Sequence, residues 1–469
     1  MRKLNSDLKR RKGTSQSVEY LVSNAEILSR YGSIDDLAVE HMEGDSTLKG
    51  LVHHLSVVRW ELGRELWSRR FFVGPSALDD ILYHVLTEER SEDPLLRCLE
   101  IIRDNRVARP GIIIFPVHSF GVLGGGLMRL HRERRWSFAP PEADLVIFTQ
   151  TNEWCRTLER IDNARRSLGI GKQIPADLLE HWRKSRDLAW LERNPVMIMR
   201  ARIAPGSYYD TEFFALGRLQ AGVTLVCMLA MLQPNRNHSQ FAWTSSSRLN
   251  NRETRDIHHY INLFEVPDSK RTLKGDCVPI NRRKAALSDM SELNVEIDPR
   301  YWQRYNREAA RVRAAVDAVY EGHMRHVVLR RPGRDTAQYH AFKKLNDSQS
   351  YFRRSFHASE EGWSSVISLA TAFEMMLTDG VSKGKIADRL RERVGLLLKG
   401  TRGVRSYSDS VHALYKARNV VVHSGVVPPE VDLDTAKETY VRCFIAITER
   451  MHTLHISSLH PMRDICEAL

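Results

Sequence analysis

Residues 414–430 read LYKARNVVVHSGVVPPE, and within them Arg418 and His423 stand five positions apart around Asn419 and three valines. Histidine titrates near neutrality and both gives and takes protons. Arginine stays charged and offers a planar fork to anionic oxygens such as those of phosphate. Two such side chains are suited to moving a proton while charge builds on a neighbouring group. The plainer reading of the same residues is a buried strand or helix end with two polar residues near its edges. Spacing alone does not separate the two. With 54 Arg and 19 His in 469 residues, about two pairs at this spacing are expected by chance. Arg450 and His455 form one decoy, and Arg405 with His412, Arg334 with His340 and Arg252 with His258 form looser ones. On a helix, residues five apart project about 140° from one another. They converge only if the helix ends or kinks between them, or if two copies meet there.

Context distinguishes Arg418 and His423 from the decoys. The sequence DLDTAKETYVRCFIAITERMHTLH follows them, and GWSSVISLATAFEMMLTDG, KGKIADRLRERVGLLLKG and YSDSVHALYKARN precede or contain them. Each carries apolar residues three and four apart, and most begin near Ser or Asp or end at Gly, as capped helices do. Residues 335–469 therefore read as an all-helical bundle, separated at the turn RRPGRD (330–335) from the preceding 334 residues.

That first region, 1–334, is mixed and long enough for two domains. After a basic start it predicts helices from about Val18 to Arg30 and from Leu48 to Arg70. GIIIFPVHSFG (111–121), ADLVIFTQ (143–150) and VMIMRARIA (196–204) read as strands, and NEWCRTLERIDNARRSLG as a helix. AGVTLVCMLAML (221–232) reads as a buried helix, too short to cross a bilayer. NRNHSQFAWTSSSRLNNRE (235–253) reads as a polar loop, and PRYWQRYNREAARVRAAVDAVYEG as one helix bounded by Gly322. The expected class is α+β, mainly α.

Composition narrows the partners. The net charge is +12, and 54 of the 70 basic residues are Arg. That excess favours an acidic partner, nucleic acid first, although arginine bias also follows from a GC-rich coding sequence. Six cysteines lie scattered with no close pair, which argues against a disulfide framework or a Cys-based zinc site and fits a reducing cytoplasm. The N-terminus lacks the apolar core of a secretory signal. No membrane partner is expected.

Taken together, the Glu374-bearing helix VISLATAFEMML, the Arg- and Leu-rich helix after it, and LYKARNVVVHSG resemble the HEPN superfamily, and within it the Apea-like branch. The resemblance covers roughly residues 336–458. It implies a metal-independent RNA endonuclease with no cofactor and no bound metal. His423 would serve as general acid or base and Arg418 would stabilise the phosphate. Asn419 would orient His423 or a phosphate oxygen, and Glu374 would hold Arg418. The same resemblance implies a homodimer through the C-terminal domain, with two Arg418 and two His423 at the seam. It further implies RNA, tRNA included, as target, a role in prokaryotic anti-phage defence or abortive infection, and a phage-derived or small-molecule trigger. Residues 1–334 would then sense, regulate or recruit substrate. The rival reading is an inactive HEPN module that dimerises or binds a partner.

Other constellations carry less. His118 precedes a glycine turn (121–126) and the basic segment LMRLHRERR; strand, turn and helix would cradle a nucleotide phosphate, but no Lys-Ser/Thr or dinucleotide spacing accompanies them. His452, His455, His460 and Cys466 lack the acid or paired cysteine of a metal site. His53-His54, His258-His259 and His323 with His326 fare no better. HRERRW (131–136) and RRSFH (353–357) are candidate RNA-backbone contacts.

Overall fold

The computed structural model describes residues 12–34, 36–37, 46–68, 72–104, 109–117, 120–122, 127–131, 143–185, 188–203, 208–234, 259–265, 273–279, 293, 295–330, 335–357, 362–380, 385–428, 431–451 and 460–467. The fold is α+β and mainly helical. The chain divides into two compact units. One gathers residues 1–111, 201–215 and 324–335; the other gathers 112–200, 216–323 and 336–469. The chain last passes from the first to the second between Asp335 and Thr336. The C-terminal helices thus belong to the same unit as most of the sheet.

The first unit is built on helices α1 (Lys12–Ser23), α2 (Ala25–Leu28), α3 (Ser46–Ser68), α4 (Pro75–Thr87) and α5 (Pro94–Asp104). On α3 the buried residues Leu48, Leu51, Leu55, Val58, Leu62 and Leu66 recur at three and four positions, forming one apolar stripe. That stripe packs with Val18, Leu21, Leu78, Leu82, Leu95 and Leu99 in a single core. Gly50 lets α1 approach closely, because a Cβ there would lie 2.5 Å from the Tyr20 hydroxyl. Arg59 pairs with the largely buried Asp79 at 2.5 Å, tying α3 to α4.

The second unit holds strands β1 (Arg109–Pro116), β2 (Phe120–Val122), β3 (Leu127–His131), β4 (Ala143–Phe148), β5 (Val196–Ile203), β6 (His259–Glu265), β7 (Leu273–Pro279) and β8 (Val295–Ile297). Six form one sheet in the order β3-β4-β5-β1-β6-β7, and β2 pairs in parallel with β8. The pairs β3/β4, β4/β5 and β6/β7 are antiparallel. Helices α6 (Trp154–Ser167), α7 (Ala176–Ser185) and α8 (Trp190–Arg193) bury Ile161, Leu179 and Trp190 in one core with Ile112, Val146 and Ile198 of the sheet. The apolar segment 221–232 lies on α9 (Tyr208–Leu232), and its Val223 and Val226–Leu232 are buried. Among the described residues no helix is long and apolar enough to cross a membrane.

Three expectations change here. Leu127–His131 is a strand, paired with Phe148–Ala143, so among the described residues a strand and not a helix follows the glycine turn. Its few residues find ladder partners on β4, which a lone helical turn would not offer. The helix expected over 299–322 is broken at Tyr305 into α10 (Pro299–Arg304) and α11 (Asn306–His323). Gly322 does not end α11. It lies inside the helix, where a Cβ would fall 2.0 Å from the Phe342 ring of the next helix. A π-helical turn, Met324–Val328, then continues the chain.

The C-terminal bundle comprises α12 (Ala337–Arg354), α13 (Trp363–Leu377), α14 (Ile386–Leu397), α15 (Val404–Ser424), α16 (Leu433–Met451) and α17 (Pro461–Glu467). Its centre is Tyr440 on α16, fully buried, stacked on Phe352 at 4.2 Å and hydrogen-bonded to Ser348 at 2.7 Å. Ser348 in turn donates to the Ala372 carbonyl, which locks α12 to α13. Arg311 of α11 makes a two-pronged pair with Glu449 of α16, at 2.9 and 3.0 Å.

Candidate functional site

Arg418 and His423 lie on one unbroken helix. α15 runs from Val404 to Ser424 between Gly403 and Gly425, both in the left-handed region with φ of 84° and 72°. Neither a kink nor a helix end falls between the two side chains, so within one chain they remain about 140° apart. The buried stripe of α15 consists of Ser408, Val411, Leu414, Tyr415, Ala417 and Val421. Arg418 is half-buried beside it, while Asn419 and His423 are exposed.

Tyr415 links the parts. Its hydroxyl donates to the Glu374 carboxylate on α13, and its ring lies beneath the Arg418 guanidinium, 5.8 Å from centroid to Cζ. Positions three apart on a helix are neighbours, which is what puts ring and guanidinium together. Burial, and then the hydrogen bond and charge of Glu374, push the Tyr415 phenol up to about 12; the Arg418 charge opposes this. The phenol therefore stays protonated and donates throughout the neutral range. Glu374 makes no ion pair with Arg418 among the described residues; Tyr415 stands between them. Arg418 donates to the Asn419 side chain at 3.2 Å. Asn419 and His423 are four apart and so share a helix face. No hydrogen bond or ion pair engages His423 among the described residues.

The arrangement offers an exposed imidazole and a guanidinium held by an aromatic ring, with a carboxylate fixing that ring from below. Lys344 on α12 adds charge nearby: burial lowers its pKa, and Asp379, Asp347 and Glu374 oppose that. Tyr415 was given no role by sequence reasoning, although its spacing from Arg418 was the available signal. A charged cleft of about 480 Å³ lies elsewhere, against the first half of α15, lined by Asp388, Arg391, Glu392, Arg405 and Asp409.

The remaining candidates separate cleanly. Arg353 is buried and donates to Thr224, so it is not open to a nucleic-acid backbone, while the half-buried Arg354 covers the Tyr351 ring. Amphipathic spacing on α12 turns Arg353 inward, which charge counting does not reveal. Arg450 donates to the carbonyls of Ile465, Cys466 and Leu396, a clamp on α17, which accounts for the arginine of the decoy pair. His54 hydrogen-bonds with Ser17 and lies tilted against the Tyr20 ring. Burial lowers the pKa of both His323 and His326. His118, the glycines at 124–126, the segment 132–136, the polar loop 235–253, His258, His452 and His455 lie outside the described residues. Among the described residues no three His, Cys, Asp or Glu gather as a metal site would require.

Comparison of the chain with family models, with curated proteins and with solved structures finds no match.

Proposed function

We propose that this chain is a HEPN-type endoribonuclease that cuts RNA without a metal, with residues 335–469 as its catalytic part. The observation that carries the reading is an exposed His423 on the same helix as an Arg418 that is backed by the Tyr415 ring and left with its charge unneutralised by any ion pair among the described residues. In the reaction the 2′-oxygen attacks the adjacent phosphorus while a histidine takes its proton. The bond to the 5′-oxygen breaks, that oxygen receives a proton, and Arg418 holds the charge on the phosphate oxygens. The products are a 2′,3′-cyclic phosphate and a 5′-hydroxyl. Asn419, one turn before His423, positions either the imidazole or a phosphate oxygen.

One continuous helix separates Arg418 and His423, so the complete site is composite: two copies meet at the C-terminal end of α15, each supplying both side chains. Exposed Val420 and Val422 flank those side chains and would be covered at such a seam. The protein acts in the cytoplasm on RNA, tRNA among the candidates, as part of prokaryotic defence against phage. Residues 1–334 sense a phage-derived or small-molecule trigger or recruit the substrate. The alternative is an inactive module that only dimerises or binds a partner. A nucleotide-binding role for the 121–126 turn loses support because a strand follows it.

The test is cleavage of total RNA and a tRNA pool in EDTA by wild type, Arg418→Ala and His423→Ala. Cutting that survives chelation, leaves cyclic-phosphate ends and is lost in both variants supports the proposal. Equal cutting by all three overturns it. RNA left intact by all three, even when expression of wild type arrests growth no more than the variants do, favours the inactive module.

A further inference from the structure

Seven large apolar side chains are exposed among the described residues, and four of them, Trp363, Val420, Val422 and Val426, belong to the first residue of α13 and the end of α15. Two contacts fix how these helices run. Tyr415 meets Glu374, and Gly362 faces Val427, where a Cβ would lie 3.9 Å from the valine methyl. The second approach is between the N-cap of α13, twelve residues before Glu374, and a residue just past the end of α15, twelve after Tyr415, so the two helices run antiparallel. In that register Trp363 is level with Val426, and Val366 is level with His423. Three residues of helix separate Trp363 from the level of His423, about 4.5 Å along the axis. The eleven residues from Trp363 to Glu374 make three turns and about 20° more, so the indole leaves α13 on nearly the same face as Glu374, toward α15. α15 stops at Ser424, and Trp363 is 40% exposed.

We infer that Trp363 is a stacking platform for an unpaired nucleobase next to the phosphate held at Arg418 and His423. The inference rests on the ribonuclease reading and adds to it a subsite for single-stranded RNA. A flat indole matches the face of any base, and such stacking is tolerant of sequence but not of pairing. The exposed cation Lys416, the half-buried Arg418 and the exposed His423 lie on the adjoining helix and suit the strand's phosphates. Valines supply area but no comparable match to a base, which singles out the tryptophan within the patch.

The experiment uses the full chain carrying His423→Ala, so that RNA is bound but not consumed, and a fluorescein-labelled single-stranded RNA read by anisotropy. Adding Trp363→Ala is expected to weaken binding about ten-fold, and Trp363→Phe only about three-fold. The same RNA made abasic along its length should bind all three proteins alike. Sedimentation and circular dichroism run alongside. Equal binding with and without the indole, or no RNA binding even with Trp363 intact, overturns the platform. So does a fall in binding that follows loss of the dimer, which would mean the ring is covered by a second copy. The two readings fail separately. If cutting depends on Arg418 and His423 but binding ignores Trp363, only the platform falls; if binding needs Trp363 while wild type leaves RNA uncut, only the catalytic reading falls.

Discussion

Tyr415 donates its hydroxyl to Glu374 across the α13–α15 interface while its ring supports the Arg418 guanidinium. The carboxylate and the arginine are therefore coupled through a neutral phenol rather than by a direct ion pair. Arg418 makes no ion pair among the described residues, and the glutamate fixes the ring instead of pairing with the cation.

Separating hydroxyl from ring tests that coupling. Tyr415→Phe keeps the ring and loses the hydrogen bond, at a cost of about 1 kcal/mol in denaturant unfolding. Tyr415→Leu removes the support as well and should lower kcat for RNA cleavage by about ten-fold more than the Phe variant, with KM little changed. Equal kcat in the two variants would show that the ring does not position Arg418.

Two arginines offer an internal control. Arg450→Met removes a clamp on three carbonyls and should destabilise the protein by about 3 kcal/mol, with cleavage intact at temperatures where it stays folded. Arg418→Ala should do the reverse: it abolishes cleavage and shifts stability by about 1 kcal/mol or less. Melting curves and RNA gels on the same two preparations decide this.

His323 makes stability fall on acidification. Burial lowers its pKa from 6.5 to about 4, so the folded state binds its proton more weakly than the unfolded chain. The contribution is fully present above pH 6.5 and is lost as pH falls toward 4, amounting to up to about 3 kcal/mol. Urea titrations of wild type and His323→Gln at pH 7 and pH 4.5 should show a smaller pH difference for the variant. Parallel losses in both would place the acid sensitivity elsewhere.

Gly322 is a packing requirement. A methyl at this position collides with the Phe342 ring, so Gly322→Ala should cost about 1–3 kcal/mol despite better helix propensity. The double variant with Phe342→Leu should recover part of that loss. A Gly322→Ala protein as stable as wild type would mean that α11 and α12 separate without penalty.

Much of this architecture follows from chain-local physics. The stripe on α3, the apolar runs of β1, β4 and β5, and the helices of the C-terminal bundle are set by periodicity and by capping residues, which act over a few positions. What locality could not reach were features settled by distant partners. Leu127–His131 became a strand because β4 lay alongside it, and position 322 takes a glycine within the helix because Phe342 fills the space a side chain would need.

The sequence by itself determined which residues are available for chemistry, that they sit near a helix end, and that the surrounding chain is helical. Only the tertiary structure decided which of those side chains touch. Tyr415 was placed between Glu374 and Arg418, Arg353 was turned inward to Thr224, and Trp363 was brought level with the end of α15. The reason is that helix pattern is encoded over three or four residues, whereas the register between two helices depends on how whole faces fill space against each other.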